Sequence, residues 1–361
     1  MNTQRLLAVV AIVTTVTLTG CAHGGISAGS SSSAVSTTGI ARSGVPTEGT
    51  RPPAAGLPPA AEPQTAPAPA APPPGQLVPV GAGAEGVVVD DVTRTVAVAT
   101  RSPDALVLLN ADSAAITARI PLPGSVRHVE LNAPGGPLLV PVETANALIR
   151  VDLPQGGVTR PIVTGTSPHD AAAANGTVMV SNELGGTVTA LRGEQIIKVF
   201  TDAVQPAGMA AVGTTIGMID ARANTLTVYD ADKLSIIGST QAGAGPTHLV
   251  ADRHDRMIAT DTRGDAIRLF SPLPSPKQVT SIAQPGGPYG IAYDRARDRL
   301  WVASSGTNEV IGYDMSQQNP REIQRFPTAQ NPYSLGVDAS TGRLFVAGAA
   351  TGVVQIINTA S

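Results

Sequence analysis

The sequence predicts an all-β fold, a seven-bladed β-propeller of four-stranded blades, and three observations lead there. A phrase made of a turn and a short apolar strand recurs seven times: "GAEGVVVD" from 83, "SVRHVELN" from 125, "SPHDAAAA" from 167, "QPAGMAAV" from 205, "GPTHLVAD" from 245, "GPYGIAYD" from 287 and "NPYSLGVD" from 331. The copies lie 38 to 44 residues apart, the period of propeller blades. Second, two further apolar runs follow each phrase across a turn rich in Gly, Asn or Asp, as in "TVAVATRSPDALVLLNAD" and "RLWVASSGTNEVIGYDMS". Alternation at period two and the β-branched residues make these strand–turn–strand units. Third, the last copy ends after "VVQIIN" without a fourth strand, while a spare strand, "QLVPV" at 76–80, stands before the first copy. That strand is expected to pair with the last blade, close the ring and cover an open sheet edge.

The chain begins "MNTQRLLAVVAIVTTVTLTGC". One arginine, an apolar run from Leu6 to about Val16 and small residues before Cys21 have the three-part layout of an export signal, and the run is too short to span a bilayer. Leu18-Thr19-Gly20-Cys21 resembles the lipobox of bacterial lipoproteins, which implies cleavage of 1–20 and acylation of Cys21. More than one acyl chain, as that family implies, gives stable anchoring. Cys21 is the only cysteine, so no disulfide can form within the chain and no multi-cysteine zinc site is open to it. The expected location is the bacterial cell membrane, with the protein lipid-anchored and facing the extracytoplasmic side or cell wall.

Residues 21–75 are rich in Ser, Thr, Ala and Pro, from "SAGSSSSAVSTT" to "RPPAAGLPPAAEPQTAPAPAAPPPG". Such a composition buries too little apolar surface to offset conformational entropy, so a disordered tether is expected, its Pro-rich half a semi-rigid spacer. The fourth strands of the blades are read in stretches such as "ITARI", "GVTRPIV", "QIIKVF" and "QVTSIA". Pro141, inside an apparent strand of blade 2, predicts a bulge or an exposed edge. With four Phe, five Tyr and one Trp, thin blade interfaces must pack on Val, Ala, Ile and Leu, with Trp301 filling a larger gap.

The stretches "VAVAT", "VMVSN", "LWVAS" and "LFVAG", each followed by a turn and a strand, resemble the YVTN-repeat β-propellers, a quinoprotein-like group. The resemblance covers nearly all of 76–361 and implies the fold. It implies no single activity, because related propellers include lactonases, lyases and pure binding domains.

A formal net charge of −3, few Lys and no basic run exclude a nucleic-acid surface. No cofactor is called for: there is no P-loop, no G-x-S-x-G and no H-E-x-x-H, and the spaced acids of 220–232 do not form a calcium loop. Chemistry is best sought where the repeats converge. One place after each turn stand Glu85, Arg127, His169, Ala207, Thr247, Tyr289 and Tyr333; two places after stand Gly86, His128, Asp170, Gly208, His248, Gly290 and Ser334. In a ring these become neighbours at the channel mouth. Glu85, Arg127, His128, His169, Asp170, His248, Tyr289 and Tyr333 are thus the candidate ligand-binding residues, and His128, Asp170 and His248 could hold a divalent metal. Strand alternation argues that both rows cannot point inward. His254, in a recurring Asp-to-Arg turn, reads as a turn residue.

The function this supports is binding: an anchored, monomeric propeller that presents its funnel and loop rim to an envelope protein, a glycan or a small molecule. The alternative is a propeller-type, lactonase-like hydrolase or lyase using His128, His169 or His248 with Asp170 or Glu85, with or without a metal.

Overall fold

The structure, a computed structural model, describes residues 44–359; residues 1–20, Cys21 and the first part of the tether lie outside the described residues. Seven four-stranded antiparallel sheets follow in order: 85–121, 130–163, 168–200, 206–241, 246–283, 288–327, and 332–357 with Gln76–Pro79. Each places its first strand innermost, and the protein is a seven-bladed β-propeller. The spare strand closes the ring as expected, Gln76 opposite Ile356 and Pro79 opposite Val353.

Period-two alternation explains how the blades stack. In Thr95–Thr100 every residue is buried. Val96 and Val98 pack with Phe345 and Ala347 of blade 7, while Ala97 and Ala99 pack with Leu138 and Val140 of blade 2. Successive side chains of a middle strand therefore serve opposite interfaces, which demands apolar residues on both faces and small ones where blades approach. Seven apolar clusters result, one between each pair of neighbouring blades. Each buried Val or Leu contributes about 1.5–3 kcal/mol. Trp301 is fully buried, and the Cβ that Gly312 lacks would lie 2.5 Å from its ring.

Pro141 is buried and pairs with Leu148 in unbroken register, so the strand has neither the bulge nor the exposed edge expected there; the irregularity of blade 2 lies one strand further in. Its innermost strand is only Glu130–Leu131, and pairing with the next strand stops at Leu139, two residues before Pro141, which has no N–H to donate.

The tether reading fails from residue 44 onward, where the chain is laid on the propeller as a strap. Thr47–Glu48 adds a fifth, parallel strand to the outer edge of blade 3. The strap then crosses the loops of later blades: Arg263 donates to the Pro59 carbonyl at 2.7 Å, the Gln64 amide to Ser305 at 2.9 Å, and Asn308 to the Pro67 carbonyl at 2.8 Å. Ala66 is 3 % exposed. The strap has little apolar surface of its own to bury; what holds it is backbone carbonyls and amides satisfied by polar side chains of the rim.

Candidate functional site at the channel mouth

The inner strands carry a repeated irregularity. In six blades, pairing skips just after the first residue, between Glu85 and Val87, Pro168 and Asp170, Pro206 and Met209, Pro246 and Leu249, Pro288 and Ile291, and Pro332 and Ser334. A β-bulge inserts an unpaired residue and re-aims the side chains beside it. In blade 2 the stretch before Glu130 is outside any strand. Simple alternation does not hold at the mouth, so side chains of both rows meet there, contrary to the sequence expectation.

Five rings form a continuous arc. His128 lies 4.8 Å from His169 and 4.5 Å from His248 between centroids; Tyr289 lies 4.3 Å from His248 and 5.8 Å from Tyr333. The glycines at 86, 208 and 290 do make room, because a Cβ there would lie 2.7–2.8 Å from the next blade's backbone carbonyl. Ser334 and Asp170 use the same position to stitch blades together, accepting from the Val87 amide at 2.9 Å and the Met209 amide at 2.7 Å.

The charges lie on the side of blades 1 to 3. His169 Nδ1 meets Glu183 Oε2 at 3.1 Å, and Gln205 donates to the other Glu183 oxygen at 2.8 Å. Arg127 pairs with Glu143 at 3.1 Å and, from above, with Glu62 of the strap at 3.4 Å. Arg101 bridges Glu85 at 3.3 Å and Glu143 at 3.4 Å. Glu143, Glu183 and Arg101 were missed by the sequence reading, though a signal existed: they occupy one repeat-equivalent place, just past the second strand of blades 2, 3 and 1.

These contacts set the protonation states. Burial pushes Glu183 up, but the His169 hydrogen bond and charge, with Gln205 and Arg127, outweigh it and hold Glu183 at about 2. Burial lowers His169, and the Glu183 hydrogen bond more than offsets that, so His169 sits above its ordinary value. His128 is driven well below the usual range by burial, then by His248 and His169. Burial, with the His169 and Arg127 charges, takes His248 to about 3. Burial raises Glu85 against the pull of Arg101 and Arg127. The mouth thus holds one imidazole whose protonated form Glu183 favours, and two, His128 and His248, whose protonation burial disfavours.

Below the rings lies a cavity of about 40 Å³, lined by His128, Glu130, Asp170 and His248. Of the remaining polar features, His254 is a turn residue, its amide on Asp252 and its Nε2 2.9 Å from Asp298. Asp220 accepts the amides of Val204, Gln205 and Ala223, which accounts for it without calcium.

No family model matches the chain, and no curated protein matches it. Among solved structures, virginiamycin B lyase from Staphylococcus aureus aligns with TM-score 0.65 at 16 % identity over 78 % of this chain and 98 % of its own. A streptogramin B lyase aligns with TM-score 0.65 at 13 % identity, covering 78 % and 95 %. A chain of the mitotic checkpoint complex aligns with TM-score 0.69 at 12 % identity, covering 84 % and 96 %. At such identities the likeness shows the fold, shared by lyases and by members of protein assemblies, and it shows nothing finer.

Proposed function

We propose that the protein is an exported, lipid-anchored binding module whose working surface is the channel mouth, and that its ligand is an extended polypeptide of an envelope partner. The observation that carries this is the strap: a Pro- and Ala-rich segment already crosses that face, its carbonyls held by rim side chains and its Glu62 on Arg127. A face whose side chains hold one extended segment by its carbonyls and a glutamate is chemically suited to extended polypeptide. Anchoring rests on the Leu18-to-Cys21 tetrad; the 22 residues between Cys21 and Gly44 reach at most about 80 Å.

Photo-cross-linking in intact cells tests this reading. A photoreactive residue at Leu184, 64 % exposed on the mouth rim, should trap a discrete envelope protein, and one at Val92, 66 % exposed on the opposite end, should not. Identical adducts from both sites would refute it.

One feature favours a hydrolase or lyase as the second reading: His169 is oriented by the buried carboxylate of Glu183, an arrangement suited to general acid–base work. Lactone or glycan turnover abolished by His169→Ala would establish that reading.

A further inference from the structure

Two groups of metal-competent residues occupy the channel, and they differ in how their charge is met. In the upper one, Glu143, His169 and Glu183, the carboxylates are engaged by Arg101, Arg127, Ser125, Gln205 and His169. In the lower one, His128, Glu130 and Asp170 each offer a ligand atom, all within 4.8 Å of one another. Among the described residues neither Glu130 nor Asp170 forms a salt bridge, and the Asp170 carboxylate accepts only backbone amides. A buried carboxylate, Asp170, and a half-buried one, Glu130, stand together there beside the imidazoles of His128 and His248.

A second observation points the same way. His248, only 8 % exposed, lines the same cavity, and its Nδ1 has no hydrogen-bond partner among the described residues. A buried nitrogen left unpaired is unfavourable, and a ligand there would satisfy it.

We propose that His128, Glu130 and Asp170, with His248 beside them, form a channel-floor site for a first-row divalent cation of the zinc type. The charge closes, because two carboxylates neutralise a dication and two imidazoles donate lone pairs without adding charge. The volume agrees: a cavity of about 40 Å³ takes an ion and one or two waters and excludes an organic ligand. Asp170 is already oriented, its oxygens on the Ala171 and Met209 amides at 2.7 Å. Tetrahedral ligands at about 2.1 Å from zinc stand about 3.4 Å apart, so the group tightens on loading. Glu130 lies on the shortest inner strand, two residues long. The site is independent of the polypeptide reading, which concerns the rim above it.

Titration calorimetry on the purified full-length protein, chelator-stripped and then given Zn²⁺ alone, tests the proposal. One equivalent should bind, and the melting temperature should rise on loading. Glu130→Gln, which removes no hydrogen bond within the protein, should weaken binding about tenfold or more. Asp170→Asn should do the same, with circular dichroism confirming the fold. His254→Ala, in a turn at the far end, should bind as wild type. Failure of the folded wild type to bind Zn²⁺, or unchanged binding in Glu130→Gln, would overturn the site whatever the cross-linking shows.

Discussion

The buried pair of His169 and Glu183 governs the mouth's charge, and its pH dependence follows from the two shifts. Glu183 is held at about 2, so its contribution is present above the ordinary glutamate range and is lost as pH falls toward 2. His169 is raised, so its contribution is present below the ordinary histidine value, about 6.5, and is lost as pH rises through the raised one. Both are in force between about pH 4.5 and 6.5. Glu183→Gln should therefore cost most near pH 5.5, about 3 kcal/mol, and less at pH 9, where the imidazole is neutral on its own. Denaturant melts of the two proteins at both pH values measure this; an equal cost at each would remove the ion pair from the account. Other acids near the surface have simpler work. Asp252 and Asp294 accept the amides of their own turns, and Arg256 and Arg297 pair with them at 2.6 and 3.1 Å, as the recurring Asp-to-Arg spacing suggests.

Among the elements, the blades were legible in the sequence because strand periodicity and turn residues are local signals, repeated seven times. The closing strand was legible because a strand without a partner appears at one end of the chain and a blade without its last strand at the other. The strap was not, since Pro- and Ala-rich sequence carries no periodicity and its attachment depends on rim residues more than 150 positions away, such as Arg263 and Ser305. Nor were the bulges, which recur in six inner strands whether the residue two places after the turn is a glycine, as at Gly86, or not, as at Asp170 and Ser334. Two truncations separate the elements. Removing 76–80 strips Val78 and Val80 from the interface between blades 7 and 1 and opens a sheet edge, at a cost of about 3–6 kcal/mol. Removing 44–70 forfeits mainly surface hydrogen bonds worth about 1 kcal/mol each, so the domain should stay folded with a lower melting temperature. Calorimetry that ranked the two losses the other way would contradict the closure.

Across the whole molecule, the ring brings to one axis residues that the chain holds far apart, from Glu62 to Tyr333. The approach of His128, Asp170 and His248 was legible from their repeat-equivalent place; that His169, one position earlier, joins them was not, because it needs the bulges at the start of the inner strands, nor was Glu130, which sits in the irregular blade 2. Everything argued of the mouth and the channel floor depends on those three imidazoles meeting. Titration of the histidine ring resonances by NMR on metal-free protein measures it directly. His169 should titrate above about 6.5, while His128 and His248 should stay neutral until far below it. Three ordinary imidazoles, all titrating near about 6.5, would show that they do not converge and would contradict the site.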